Sequence, residues 1–311
     1  MSGDDDLVRA LNETVARAGE IIFGKEHAIR MAVACMAARG HLLIEDVPGV
    51  GKTLLAQSLA RLMGLKFQRV QFTSDLLPAD ILGISVYERE TGAFKFHPGP
   101  IFSQLVLADE VNRATPKTQS ALLEAMEEYQ VTQDGETRAL PQPFFVLATQ
   151  NPIRQIGTFP LPESQLDRFL MRIELGYPDE EAERALLKGR DRREVLEQLS
   201  PCLSPADLVR TQQMAPEVHV SDALVAYVQA IVGYTRSAPQ FELGLSPRAG
   251  LALLRASQAW AFMAGRAHVV PEDLQAVLPG VVSHRLRHSA DDDTSAGRDL
   301  AAEIIREVDV P

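Results

Sequence analysis

Cysteine is scarce. Two thiols in 311 residues, Cys35 and Cys202, cannot build a disulfide framework, and no metal-ligand spacing surrounds either of them. A reducing, intracellular compartment follows as the expectation. Positive charge is also short: 31 Lys and Arg against 42 Asp and Glu leave a formal charge of −11. An acidic chain repels phosphate backbones unless a local basic stripe overcomes the field, and none is present, so no nucleic-acid partner is expected. Long apolar runs are missing as well. The opening MSGDDD is acidic where an export signal would be basic, and no apolar segment follows it. The longest weakly charged stretches, such as residues 223–235, are too short and too interrupted to span a bilayer. The expectation is a soluble, cytoplasmic protein without a membrane span. Internal repeats and low-complexity tracts are absent. What is present, 46% hydrophobic and 23% charged residues, is a globular composition, and the length suffices to bury a core in one large domain or two ordinary ones.

Apolar spacing divides the chain. Leu7, Leu11 and Val15 fall four apart behind a run of aspartates, predicting a surface helix over 6–18, and a second helix is predicted over 26–38. Short apolar or alternating runs follow at 41–45, 67–72, 104–108, 144–149 and 170–175, separated by helical segments. That alternation predicts a parallel sheet with helices on both faces, an α/β fold. Two hairpins interrupt it, at 86–96 turning at Thr91 and Gly92, and at 131–140 turning at Asp134 and Gly135. Past Tyr177 and Pro178 the pattern is helical with no convincing strand, so the expected division is 1–177 and a smaller all-α domain over 178–311. Ser204-Pro205 with Asp207, and Ser246-Pro247, supply N-caps followed by proline at the first helical position. Leu253, Ala256, Trp260 and Met263 make one apolar helix face, with Trp260 expected in the core. The Asp291–Asp293 run reads as a solvated loop, His27, His97 and the other histidines as packing or surface residues, and Cys35 as core.

The sequence DVPGVGKT at 46–53 follows one of these strands and opens a helix at Lys52, the context of a phosphate-binding loop. Gly49 and Gly51 let backbone N–H groups turn inward around phosphate oxygens, and the helix N-terminus adds partial positive charge. Lys52 is expected to hold the β- and γ-phosphates and the Thr53 hydroxyl to ligate Mg²⁺. The ligand-holding stretch is Asp46, Val47, Pro48, Gly49, Val50, Gly51, Lys52, Thr53 and Leu54. Asp46 stands where the usual pattern begins with glycine. A buried strand, LVLAD, ends in Asp109 and Glu110, which places two acids at the carboxyl edge of the sheet, where ligands of such sheets bind. Asp109 suits hydrated Mg²⁺, and Glu110 suits the polarisation of an attacking water.

These residues resemble the AAA+ P-loop NTPases, and within them the MoxR group. The matching stretches are LLIEDVPGVGKT, QFTSDLLPADILG, GPIFSQLVLADEVNRATPKTQSALLEAMEEYQVT, ATQNP, GTFPLPESQLDRF and LSPRA, in the expected order over about residues 21–250. The resemblance implies an AAA+ sheet domain followed by a helical lid, ATP and Mg²⁺ as cofactors, and roles for single residues. Asn151 matches the sensor-1 asparagine that orients the lytic water. Arg168 in LDRF matches the arginine finger inserted into a neighbouring subunit's site; on the residues alone it could equally pair with Asp167 or Glu163, and Arg154 or Arg172 could compete for the role. Arg248 matches sensor 2, reaching the γ-phosphate from the lid. Ile21, Ile22 and Phe23 match the segment that packs around adenine. The hairpin at 86–96 resembles an insertion shared with magnesium-chelatase motor subunits, and that at 131–140 the hairpin before sensor 1.

The implied function is an ATP-hydrolysing motor, assembled as a hexameric ring, that remodels or matures partner protein complexes, with a von Willebrand factor A domain protein as the implied partner. Alternatives are a chelatase-type subunit driving metal insertion, a nucleic-acid translocase, which the acidic composition opposes, and a nucleotide-gated scaffold with little turnover.

Overall fold

The computed structural model describes residues 2–151, 157–188, 192–288 and 299–310. Helices α1 (Ser2–Gly19) and α2 (Glu26–Ala37) lead into β1 (Leu42–Glu45), α3 (Lys52–Leu62), β2 (Phe67–Gln71) and α4 (Pro78–Leu82). The hairpin β3 (Gly83–Glu88) and β4 (Ala93–Pro98) precedes β5 (Leu105–Asp109) and α5 (Pro116–Glu128). A second hairpin, β6 (Gln130–Gln133) and β7 (Glu136–Ala139), is followed by β8 (Phe145–Gln150), α6 (Glu163–Leu166) and β9 (Met171–Ile173). Then come α7 (Glu180–Lys188), α8 (Arg192–Glu197), α9 (Pro205–Met214), α10 (Asp222–Ser237), β10 (Phe241–Leu243), α11 (Pro247–Met263), α12 (Pro271–Val282), β11 (Arg287–His288) and α13 (Leu300–Glu307).

Five strands form one parallel sheet in the order β2-β5-β8-β1-β9. Side chains alternate between its faces. Leu42, Ile44, Leu105, Leu107, Phe145 and Leu147 pack on one side with α1, α2 and α3, in a core continuous with α10, α11 and α12. Leu43, Val106, Ala108, Val146 and Ala148 pack on the other against α5 and the second hairpin. A sheet buried on both faces accounts for the nearly unbroken apolar runs of its central strands. Among the described residues no helix is long and apolar enough to cross a membrane.

In α1, Asp4 and Asp5 occupy the first turn and Leu7, Leu11 and Val15 are buried as one stripe. The caps form as the residue types dictate. Ser204 accepts from the Asp207 N–H at 3.2 Å while Asp207 accepts from the Ser204 N–H at 3.0 Å, and Ser246 accepts from the Ala249 N–H at 3.1 Å. At the second hairpin Asp134 and Gly135 both take positive φ, 54° and 79°, which the right-handed twist of a two-residue turn requires.

Some expectations change. The strand expected over 170–175 is paired only over Met171–Ile173, because the Leu175 and Gly176 N–H groups bond a side chain instead of a strand. The first hairpin is longer than expected, from Gly83 to Pro98. The chain past Pro178 adds no strand to the main sheet, but it carries a short antiparallel ribbon, β10 with β11, that the helical pattern concealed. Trp260 sits at the rim of the core, half-buried, with His27 edge-on at 5.9 Å and the Arg30 guanidinium 5.1 Å from its ring centre. Cys35 is fully buried, and that burial pushes its thiol pKa up. Residues 291–293 lie outside the described residues.

Candidate functional site

β1 delivers residues 46–51 to the carboxyl edge of the sheet between its parallel neighbours β8 and β9. Gly49 and Gly51 have φ of +88° and +97°, and a Cβ at either would meet nothing within 4 Å. Glycine is demanded there by backbone conformation rather than by crowding. Lys52, the first residue of α3, is buried, and its Nζ donates to the Asp46 carbonyl at 2.6 Å. Burial pushes the Lys52 pKa down, opposed by the carboxylates of Asp46, Asp109, Glu110 and Glu45. The loop forms one wall of a cavity of about 670 Å³; Arg69, Asp109, Glu110 and Asn151 form the facing wall, and Arg192, Leu196 and Glu197 of α8 also line it.

Six of the nine loop residues, Pro48, Gly49, Gly51, Lys52, Thr53 and Leu54, line that cavity. Asp46, Val47 and Val50 are not among the lining residues. Asp46 is buried, and its carboxylate accepts from the Val47 N–H at 2.8 Å and from the Leu175 and Gly176 N–H groups at 2.6 Å each. The acid in the usual glycine position therefore anchors the loop to the chain leaving β9. Ile22 is core, and Phe23 is not among the lining residues; its ring centre lies 3.9 Å from the guanidinium of Arg192, which does line the cavity.

The two acids at the end of β5 are held differently. Asp109 Oδ1 accepts from Thr149 Oγ1 at 2.6 Å, and Oδ2 accepts from Arg69 at 2.7 and 3.1 Å. Glu110 has φ 55°, a sharp departure from the strand. Its N–H donates to Thr149 Oγ1 at 2.8 Å, and its carboxylate accepts from Asn151 Nδ2 at 3.1 Å, Gln71 Nε2 at 2.9 Å and Arg113 at 3.0 Å. The Thr149 hydroxyl thus donates to one acid's side chain and accepts from the other's backbone, fixing their relative placement. Asn151 is buried, and its carbonyl accepts from Asn112 Nδ2 at 3.1 Å. Sequence reasoning passed over Arg69, Gln71 and Thr149. The alternation of β2 was a usable signal, since Arg69 and Gln71 are two apart and so share a face. Among the described residues no group of three or more His, Cys, Asp and Glu side chains could hold a metal. Thr53 and Asp109 share the cavity and offer hard oxygen ligands, a pair that suits Mg²⁺, which takes few protein ligands beside phosphate.

The two motif arginines lie elsewhere. Arg168 pairs with Glu127 at 3.1 Å, and Arg248 pairs with the other oxygen of the same carboxylate. Both line a second cavity of about 350 Å³ that shares no lining residue with the first. Arg248 therefore lines a cavity apart from the phosphate loop of its own chain. The reason is local: Ser246, which caps α11, donates to Asp167 Oδ2 at 3.3 Å and ties the start of α11 to the segment carrying Arg168. The alternative partners of Arg168 are taken, Asp167 by Arg285 at 2.7 Å and Glu163 by Arg287 at 3.2 Å. Arg172 pairs with Glu45 at 3.0 Å and with Glu174. Arg154 lies outside the described residues.

Comparison with known proteins agrees in family. The profile of the ATPase family associated with various cellular activities (AAA) matches residues 41–171, and that of the AAA lid domain matches residues 233–308. The chain is 41% identical to Chaperone MoxR1 of Mycobacterium tuberculosis over 90% of its own length and 76% of that protein's. It is 44% identical to the uncharacterized protein YeaC of Bacillus subtilis, covering 92% of this chain and 89% of that one, and 30% identical to Protein MoxR of Methylorubrum extorquens, covering 90% and 88%. A crystal structure from Cytophaga hutchinsonii, described only as a candidate ATPase, superposes with a TM-score of 0.87 at 36% identity, covering 100% of this chain and 98% of that one. At these identities and coverages the chain belongs to the MoxR family of AAA+ ATPases and is an ATP hydrolase.

Proposed function

We propose that the chain couples ATP hydrolysis in a ring of subunits, a hexamer, to chaperone-like remodelling of partner protein complexes in the cytoplasm, with a von Willebrand factor A domain protein among the partners. The name of the M. tuberculosis relative supports the chaperone reading. In this reading the sheet domain runs over 1–177 and the lid over 178–311. Lys52 leaves the Asp46 carbonyl for the β- and γ-phosphate oxygens, and the N–H groups around Gly49 and Gly51 cradle the same charge. Thr53 and Asp109 would hold Mg²⁺, which would supply positive charge to oxygens of the β- and γ-phosphates. Glu110 accepts the proton of the attacking water, and Asn151, already bonded to that carboxylate at 3.1 Å, orients the water. Arg168 and Arg248 act on the nucleotide of the neighbouring subunit. An arginine supplied in this way is worth roughly 10³–10⁵ in rate, or ~4–7 kcal/mol of barrier.

The observation that carries this reading is the separation of Arg168 and Arg248 from their own phosphate loop. Both sit on Glu127, partly exposed, beside a different cavity. Mixing Arg168→Ala with Lys52→Ala protein tests it: each alone is expected to lack turnover, and the mixture to recover it, because an intact loop then meets an intact arginine. Light scattering of the Glu110→Gln form in Mg·ATP is expected to give the mass of a ring. A mixture that stays inactive, or a mass that stays that of one subunit, overturns the proposal.

A further inference from the structure

We propose that Arg285 is a positioning residue that holds the Arg168 segment to the lid, so that lid and finger move as one body. It rests on the assignment of Arg168 to a neighbour's nucleotide. Arg285 follows α12, and its guanidinium is almost fully buried at 5% side-chain exposure. Every nitrogen of that group is used. Nε donates to Asp167 Oδ1 at 2.7 Å, one terminal nitrogen to the carbonyls of Val281 and Leu170 at 2.6 and 3.1 Å, and the other to those of Phe169 and Asp167 at 2.6 and 3.2 Å. His284 adds a contact from Nε2 to the Phe169 carbonyl at 3.0 Å, and Ser246 holds the second oxygen of Asp167. Arg285 and His284 thus hold backbone carbonyls on both sides of Arg168, and Ser246 and Arg285 together hold the Asp167 side chain.

Arg168 itself is treated differently. Among the described residues its side chain pairs with Glu127 alone, at 27% exposure, while the backbone beneath it is clamped. A fixed base with a head free to change partners is the geometry of a group presented across an interface, where a misplacement of about 1 Å can lower a rate roughly 100-fold. None of the hydrogen-bond partners of Arg285 lines the phosphate-loop cavity, so its effect on turnover runs through the segment it clamps, which bears Arg168 and is tied to the helix start bearing Arg248. Asp167 joins the same clamp to the first turn of α11, which bears Arg248.

The test is subunit mixing. Arg285→Lys keeps the charge but cannot make the five bonds of the fork. Alone, it is expected to lose ~10-fold or more in kcat while its affinity for a fluorescent ATP analogue stays within about 2-fold of wild type. Mixed with Lys52→Ala, which brings an intact finger, it should regain turnover; mixed with Arg168→Ala, it should not. Asp167→Asn, which removes the ionic bond and leaves the backbone contacts, should show the same pattern in milder form and serves if the lysine variant does not fold. Wild-type turnover in both variants, loss of analogue binding, or equal rescue by the two partners would overturn the proposal. Failure of Arg168→Ala to be rescued by Lys52→Ala would instead overturn the assignment of the finger.

Discussion

Asp46→Gly restores the residue with which phosphate loops usually begin, and it is expected to harm the protein. The Asp46 carboxylate accepts three backbone N–H groups, from Val47 at 2.8 Å and from Leu175 and Gly176 at 2.6 Å. Hydrogen bonds to a charged acceptor contribute about 1.5–3 kcal/mol each, and a buried donor left unpaired costs about 1–3 kcal/mol. The Val47 bond is local, within one residue of its acceptor. The other two join the end of β1 to the end of β9, where Leu175 is buried and Gly176 half-buried. Losing that pair is expected to lower unfolding free energy by about 3–5 kcal/mol, with a further ~0.5–1 kcal/mol from the freer unfolded chain that glycine allows. Asp46→Asn keeps one oxygen but turns an NH₂ toward N–H donors, so it should cost about half as much. Urea midpoints at constant slope measure both changes. ATP affinity, measured under conditions where each variant is folded, should change far less than stability. An Asp46→Gly protein as stable as wild type, or one that keeps its stability and loses ATP affinity, would refute the anchoring argument and return Asp46 to the ligand.

Lys52→Ala should abolish binding of a fluorescent ATP analogue, because the one buried cation that starts α3 is removed; unchanged affinity would show that the loop is not the phosphate site. Glu110→Gln should bind ATP and fail to hydrolyse it, since the amide keeps an acceptor for Asn151 but loses the proton-accepting oxygen; turnover within about 10-fold of wild type would exclude Glu110 as the base. Buried His41 accepts from the Val146 N–H at 3.0 Å and bonds the Met126 carbonyl at 3.1 Å, and burial pushes its pKa down to about 4. The unfolded chain therefore binds this proton first. The His41 contribution is fully present above pH 6.5 and is lost as pH falls toward 4, by about 3 kcal/mol in all. Urea midpoints from pH 7 to pH 4 should fall less steeply in His41→Gln, and equal slopes would refute the assignment.

The sheet was legible because burial on both faces forces apolar strands and because turn residues mark their ends. Asp109 and Glu110 could be placed at an edge from LVLADE alone, and the glycines at 49 and 51 were readable because only backbone conformation decides them. The ribbon of β10 and β11 was not legible. Its three- and two-residue strands carry too little period to register, and they pair across more than forty intervening residues. Trp260 illustrates another limit: helical spacing gives the face a residue shares, but not how far it lies from the edge of that face, and here the ring is shielded by His27 and Arg30 instead of by core. At the site, residues that follow the strands were found and those that brace them were missed. Thr149, Gln71 and Arg69 act by side-chain bonds between strands, and those depend on the order β2-β5-β8, which no local pattern encodes. Arg285 was invisible for the same reason, since all its partners but the Val281 carbonyl lie more than one hundred residues away.

The placement of Arg248 shows why a motif identifies a residue more securely than a destination. Its position after Ser246 and Pro247 is fixed locally, by the cap of α11. Where that helix start is carried depends on the Ser246 bond to Asp167 and on the burial of Arg285, and neither Asp167 nor Arg285 is near Arg248 in sequence. The result is two cations sharing the single carboxylate of Glu127. One negative charge between two guanidinium groups leaves an excess of one positive charge, at a partly exposed surface where screening limits the value of each pair to about 1 kcal/mol or less. In the proposed ring, a γ-phosphate on a neighbouring subunit would carry more negative charge than Glu127 offers, and two arginines this weakly held would accept it. The same weakness that makes these pairs poor contributors to stability is therefore what would allow them to exchange partners in the proposed ring.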